Sequence, residues 1–399
     1  MGILSDLRVV EGSAFVAAPL AGMWLAQLGA EVIRFDPIGG GLDRHRWPVT
    51  AKGDSLYWAS LNKGKRSIAI DIRKPEGREL VQRLIAAHGL FLTNFPAEGW
   101  LAYEELKRRR ADLVMAAIRG QPDGATAVDY TVNAAAGYPL ATGPEGAEGP
   151  VNHVLPAWDI VTGLSAAFGL LAAERHRRLT GEGQLVRLSL MDSALAMLGH
   201  LGILAEVEIN GVDRPRVGND LYGAFGRDFA TSDGERMMVV ALTDRQWRAV
   251  VDSCGIGPDV AVIEERSGLD FRREGDRFKA RETLNRLVED WVAKHPYAEV
   301  ARVFAAKGVL FERYQSFAEL VRSDRRCGLG NPMFGTVDQP GIGRMLTPGS
   351  LLDFSAEARS APVRAPLLGE HTDQVLSEVL RLSSREIGGL HDRKIVAAP

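Results

Sequence analysis

Short apolar runs recur through the first 120 residues, at 7–10, 31–35, 67–72, 90–93 and 113–118. They are rich in Val, Ile, Leu and Phe, and most stand next to Gly, Pro, Asp or Asn, the residues that bound strands. Between them the period changes. Over 75–87, Leu80, Val81, Leu84 and Ile85 recur at helical spacing while Glu76, Arg78 and Arg83 face away. Segments 19–28 and 103–110 read as helices too. Strands that alternate with helices predict parallel βαβ units, hence an α/β fold with a doubly wound, Rossmann-like parallel sheet. Ligands bind such sheets beyond the carboxyl ends of the strands. The loops placed there are 11–18, 36–48, the turn at Arg73, and 94–100.

The pattern then loosens. Residues 120–149 read as loop with one short helix. Residues 159–173 are apolar nearly all round, which predicts a buried helix. A strand and helix follow over 185–204. Asp233-Gly234 between apolar runs at 225–231 and 237–242 is a hairpin signal. Helical patterns at 244–253, 277–293 and 297–307 complete a smaller α+β domain. Gly and Pro return at 328–349, and 372–382 reads as a last helix. The expected organisation is a large domain, 1–209 plus 344–399, with a small domain inserted at 224–327 and linkers at 210–223 and 328–343.

Composition narrows the function classes. Of 399 residues, 46% are hydrophobic and 25% charged, which suits a globular core. The net charge of −3 provides no basic excess to neutralise a phosphate backbone, so a nucleic-acid partner is not expected. Residues 14–26 are too short to span a bilayer and contain Pro19 and Gly22, so no membrane partner is expected either. The two cysteines, Cys254 and Cys327, match no CxxC spacing and suit a reducing cytoplasm. His153, His200 and His371 are singletons without metal-ligand spacing, so no metal site is expected.

Four segments carry candidate chemistry. Asp159, in NHVLPAWDIVTG, opens the apolar helix. The helix dipole and backbone N–H groups favour its ionised form there, and a shielded carboxylate can attack an activated carbonyl. A plain helix cap is the alternative. GSAFVAAPLAG turns the first strand into a helix through small residues, so backbone N–H groups can hold an oxyanion or phosphate. It lacks the GxGxxG spacing of nicotinamide sites. Arg44, His45 and Arg46 follow three glycines, and guanidinium groups bind carboxylates bidentately. NKGKR, at 62–66, is a further cationic loop, read as phosphate-facing or solvated.

These segments resemble the class III CoA-transferase family, the formyl-CoA and carnitine CoA-transferase group. The resemblance runs through GSAFVAAPLAG, GAEVIRFDP, NKGKRSIAIDIRKPEG, TNFPAEG, PAWDIVTG, TGEGQLVRLSLMDSALA and APLLGEHTDQVL, essentially the whole length. GSAFVAAPLAG, DPIGGGLD, RWPVT and NHVLPAWDIVTG are most similar to members that move CoA between the C1 and C4 carboxyls of mesaconate. The resemblance implies that Asp159 is the nucleophile, passing through an aspartyl anhydride and an aspartyl-CoA thioester. It implies no tightly bound cofactor, with coenzyme A entering as part of the substrate.

Residue by residue, the resemblance places Phe15 and Val16 at the thioester. Ile70 and Arg73 fall at the CoA nucleotide, and Asn94 and Phe95 at the pantetheine. A glutamine frequent near Val16 is absent, which leaves an oxyanion hole to backbone N–H groups. Basic residues frequent at the positions of Pro37 and Ala102 are also absent, which leaves Lys63, Lys65, Arg66 and Arg73 as candidates for the 3′-phosphate. Arg44 or Arg46 is the candidate for the free carboxylate. The family's racemase branch needs a histidine where Val128 stands, which disfavours proton exchange. An intermolecular CoA-transferase and a non-catalytic CoA-binding protein are the other readings. The family forms interlocked homodimers, so self-association is expected.

Overall fold

The computed structural model describes residues 2–399. Two compact units divide them. The larger takes residues up to 136, then 154–205 and 324–399; the smaller takes 137–153 and 206–323.

The larger unit is built on a mostly parallel sheet. Its strands β1 (Arg8–Gly12), β2 (Glu31–Asp36), β3 (Arg66–Ile70), β4 (Leu90–Thr93), β5 (Val114–Arg119) and β6 (Leu185–Ser189) lie in the order β3-β2-β1-β4-β5-β6. Every neighbouring pair among these six is parallel. Val396–Ala397 adds a short antiparallel strand beside β3. The strands read as continuous apolar runs because both faces are covered. Alternate residues take opposite faces. Val10, Ile33, Phe91 and Met115 pack with Leu80, Val81, Leu84 and Ile85 of helix Pro75–His88. Val9, Val32, Leu92 and Val114 pack with the first helix, Ala17–Gln27, and the long helix, Ala157–Thr180. Pro at the first turn and a left-handed Gly89 (φ 72°) set the limits of Pro75–His88.

The strand order reverses between β1 and β4. That is the topological switch point, where the loops after adjacent strands part and open a crevice. The loops that follow β1 and β4, at 13–16 and 94–98, carry the candidate thioester residues Phe15 and Val16 and the candidate pantetheine residues Asn94 and Phe95.

Three expectations change. The long helix is not buried all round: Leu164, Phe168 and Leu179 are exposed. Ala166, Ala167, Leu170 and Ala173 face the sheet, the small residues where close approach needs them, while Leu164, Phe168 and Leu179 face outward. Residues 328–343 are not a plain linker. Phe334–Gln339 pairs antiparallel with Gly343–Pro348, and Gly341 (φ 80°) sits in the turn between them. The final helix stops at Glu378, and Ser383 caps a second one, Ser384–Asp392.

In the smaller unit, β7 (Phe225–Ala230), β8 (Arg236–Ala241) and β9 (Leu310–Arg313) form an antiparallel sheet in that order. Asp233-Gly234 turns β7 into β8, with Gly234 at φ 82°. The sheet packs Phe225, Phe229 and Val239 against Trp247, Val250, Leu284 and Val288 of the helices.

Candidate active site

The crevice is built from strained and tightly tied backbone. After β1 the chain turns at Phe15, a non-glycine residue at φ 66°. Left-handed backbone is disfavoured for a large side chain and persists only where its surroundings impose it. Three contacts do so here. Asn94 Oδ1 accepts from Ala14 N at 2.9 Å while Asn94 Nδ2 donates to Ala14 O at 2.7 Å. Phe15 N donates to Asp43 Oδ2 at 3.1 Å. Thr93 Oγ1 donates to Gly12 O at 2.7 Å, joining the loops after β1 and β4.

Asp43 belongs to a buried web of charge beneath the crevice. Arg34 forms a two-pronged pair with Asp36, both bonds 2.9 Å, and also reaches Asp43 Oδ1 at 3.1 Å, Ser13 Oγ at 3.2 Å and Asn62 Oδ1 at 3.1 Å. Lys65 Nζ donates to Glu11 Oε1 at 2.7 Å, to Asn62 Oδ1 at 2.9 Å and to Pro19 O at 2.8 Å. Burial pulls the Lys65 ammonium down to about 8, against the opposing pull of Glu11. Gly22 leaves the room that Glu11 occupies: a Cβ there would stand 1.8 Å from Glu11 Oε2.

Asp159 lies in the first turn of the long helix, and it is not the cap. That role is filled from outside by Asp129, whose Oδ2 accepts from Trp158 N at 2.7 Å and Asp159 N at 3.0 Å. Asp129 is buried, and its Oδ1 has no hydrogen-bond partner. The consequence overturns the expectation that the helix end holds Asp159 in its ionised form. Burial, then the nearby charge of Asp129, push the Asp159 carboxyl up to about 7. The Arg46 guanidinium and the backbone N–H of Ala17 pull the other way without prevailing. Close packing of the long helix on the first helix brings Asp159 to Ala17: a Cβ at Gly163 would lie 2.7 Å from Ala17 O.

Arg46 completes the arrangement. Its guanidinium carbon lies 5.3 Å from the ring centroids of both Phe15 and Tyr57. Tyr57 Oη is buried beside the Arg46 guanidinium. Burial pushes that phenol up to about 12, with Asp159 among the charges that favour its neutral form. An electrophile bound here would meet a carboxylate, a guanidinium and a phenol. The first helix adds N–H groups that lack intrahelical acceptors.

The structure brings Phe15, Val16, Arg46, Asn94 and Asp159 to this crevice. Arg44 is turned away, its guanidinium 4.8 Å over the ring of Trp58. Phe95 sits edge-on to Phe35, ring centroids 6.0 Å apart. Arg73, at the carboxyl end of β3, is 87% exposed and pairs with Asp71 at 2.8 Å. Ile70 is buried in the core below it. Arg66 opens β3, so it lies at the opposite end of the sheet, paired with Glu31 and Glu378. Lys63 donates to Pro348 O, and Lys65 is sealed in the web. Among the four cations considered for the phosphate, Arg73 combines exposure with the right end of the sheet.

Sequence reasoning missed Asp43, Tyr57 and Asp129. Asp43 stood in the same loop as the arginines that drew attention. Asp129 adjoins Val128, a position read only for the histidine it lacks. Neither carboxylate has a local signature, because each acts on backbone distant in sequence, Phe15 and Trp158.

Comparison with known proteins gives the family and the fold. Residues 4–372 match the family model described as CoA-transferase family III. The chain is 60% identical to 2-methylfumaryl-CoA isomerase of Chloroflexus aurantiacus, over 100% of this chain and 98% of that protein. It is 30% identical to succinyl-CoA:mesaconate CoA-transferase of Haloarcula hispanica, over 95% and 96% of the two chains. It is similar in structure to a CaiB/BaiF family protein from Brucella suis, with a TM-score of 0.76 and 26% identity over 95% of this chain and 99% of that one.

Proposed function

The chain belongs to CoA-transferase family III, and from that premise we infer that it isomerises 2-methylfumaryl-CoA (mesaconyl-CoA), moving CoA between the C1 and C4 carboxyls of one acid. Asp159 Oδ attacks the thioester carbonyl at C1 and expels CoA thiolate, leaving a mixed anhydride. The thiolate attacks the aspartyl carbonyl of that anhydride, which gives an aspartyl-CoA thioester and free mesaconate. The C4 carboxylate then attacks the aspartyl thioester, expels the thiolate and forms a second anhydride. Attack of the thiolate at C4 yields the isomer and regenerates the Asp159 carboxylate.

The observation that carries this reading is the full-length 60% identity to 2-methylfumaryl-CoA isomerase, and the geometry fits it: Asp159 opens the long helix against Ala17 in the switch-point crevice, where burial and Asp129 push its carboxyl up to about 7. A thiolate is a poor leaving group against a weakly basic carboxylate, since thiols titrate near about 8.5. A nucleophile near 7 narrows that gap. Arg46 holds whichever carboxyl is free, C4 at the outset and C1 after transfer. Holding that acid in place supplies effective molarity in place of a second substrate. Phe15 and Val16 line the thioester, and backbone N–H groups at the start of the first helix receive the oxyanion. Asn94 and Phe95 flank the pantetheine, and Arg73 meets the nucleotide phosphate.

An interlocked homodimer in the cytoplasm fits the same reading. Leu164 and Phe168 leave an apolar face on the long helix that a second copy covers, and Cys254 is a buried free thiol.

The test is incubation with 1-mesaconyl-CoA and isotope-labelled free mesaconate, followed by chromatography and mass spectrometry. The 4-isomer forming without label is the expected result. Label in the thioester means that the transfer is intermolecular. No isomer at all overturns the substrate assignment.

A further inference from the structure

Two loops far apart in sequence must agree on one distance for CoA to move within a single acid. The loop after β1 carries Phe15 at the thioester, and the loop after β2 carries Arg46 at the free carboxylate. Asp43 lies between them. It is 1% exposed, and its Oδ2 accepts from Phe15 N at 3.1 Å. Its two oxygens also accept from Arg34 Nη2, at 3.1 and 3.3 Å. Three residues further on, the Arg46 guanidinium stacks over the ring of the same Phe15 at 5.3 Å. The loop after β2 therefore grips Phe15 twice, by its backbone through Asp43 and by its ring through Arg46.

We propose that Asp43 is a positioning residue that sets the spacing between the thioester site and the free-carboxylate site, and thereby keeps CoA transfer intramolecular. This rests on the reading of Arg46 as the carboxylate anchor. The left-handed turn at Phe15 persists only while its surroundings impose it. Asn94 still ties Ala14 and Thr93 still ties Gly12, but without the Asp43 acceptor Phe15 N–H loses its partner, the ring shifts from Arg46, and the freed acid is held less well for return attack. Arg34 is the support behind Asp43. Its pair with Asp36 and its approach to Glu11 at 3.8 Å survive the loss of Asp43, so the web keeps a charge partner.

Asp43→Ala and Asp43→Asn are compared with the wild-type chain in the labelled-mesaconate assay. The readout is labelled thioester plus free acid formed per isomerisation. The Ala variant removes the acceptor for Phe15 N–H; the Asn variant retains one but gives up the charge. A misplacement of about 1 Å costs on the order of 10²-fold in rate. For Asp43→Ala the expected result is a fall of that order in kcat with KM for 1-mesaconyl-CoA little changed, and a rise of about 10-fold or more in the readout. Asp43→Asn is expected to rise by a smaller factor. An unchanged readout in a folded Asp43→Ala overturns the proposal, whatever happens to kcat. If that variant does not fold, Asp43→Asn decides in the same way. A wild-type chain that forms no 4-isomer refutes the functional reading instead, so the two failures are separable.

Discussion

Replacing the proposed nucleophile by its neutral isostere, Asp159→Asn, should stabilise the protein, and the gain should depend on pH in a defined sense. The folded chain holds this carboxyl near 7, against 3.8 for the ordinary group. Because the folded value is raised, the native state binds the extra proton between those limits, and stability falls as pH rises through them. Below about 4 the group is protonated in both states and Asp and Asn are equivalent. Above about 7 the native state carries the full penalty of an ionised group beside Asp129. At about 1.4 kcal/mol per tenfold in proton affinity, that penalty is roughly 4 kcal/mol at pH 8 and under about 2 kcal/mol at pH 5. The carboxyl is part-buried, so solvent screening trims these figures without changing their order. Asn keeps an acceptor for Ala17 N–H and nearly the same volume, so packing contributes little. The assay is denaturant unfolding of both chains at pH 5 and pH 8, monitored by tryptophan fluorescence. The expected result is a more stable Asn variant whose advantage widens by about 2–3 kcal/mol between the two pH values. An advantage of equal size at both, or a less stable variant at pH 8, would refute the reasoning: Arg46 and the Ala17 N–H would then hold the ionised form in net comfort, and the carboxyl would not be poised.

Asp129→Asn keeps an oxygen for Trp158 N and Asp159 N but removes the neighbouring charge. The Asp159 carboxyl should fall from about 7 toward ordinary values, so the acid limb of the kcat/KM profile for 1-mesaconyl-CoA should move to lower pH. An unmoved limb would show that burial alone sets it. Arg46→Ala should lower kcat/KM for the isomerisation by roughly 10²-fold or more, the scale of a charge-assisted bond of about 3 kcal/mol, while Arg44→Ala should change it little. Equal losses in steady-state assays of the two variants would remove the distinction drawn from the stacking of Arg44 on Trp58.

The parallel sheet was legible because burial on both faces turns its strands into apolar runs, and because Leu80, Val81, Leu84 and Ile85 repeat at helical spacing. The hairpin at Asp233-Gly234 was legible because its turn chemistry is local. What escaped was non-local or misleading in composition. Gly and Pro around 328–349 suggested a linker, yet a two-stranded hairpin forms there, with Pro340 and Gly341 in its turn and Gly335, Gly343 and Pro348 accommodated within its strands. The long helix read as buried on all sides because an outward apolar face, Leu164 and Phe168, looks the same in sequence as a core face. The nearness of Asp159 to a helix start was visible. The sign of its electrostatics was not, because Asp129 comes from another helix start, thirty residues earlier.

That reversal bears on how the chemistry works. A carboxylate capped by backbone N–H groups is stabilised as an anion and is a poor attacker for the same reason. Here the cap is delegated. Asp129 accepts the two N–H groups that open the long helix, so Asp159 is left with Ala17 N–H and Arg46 as its stabilising company, against burial and a like charge. The buried Oδ1 of Asp129 stays without a partner, which is costly in a dry site and keeps the repulsion unscreened. The folding energy of the larger unit, with its two packed sheet faces, sustains this unfavourable pair. In the proposed mechanism the charge of Asp159 disappears when it enters the anhydride or the aspartyl thioester, and the repulsion with Asp129 disappears with it. The site therefore destabilises the resting anion relative to the covalent intermediates, which lowers the step that must expel a thiolate. A site that instead held Asp159 as a contented anion would bind the same acyl-CoA and exchange it slowly.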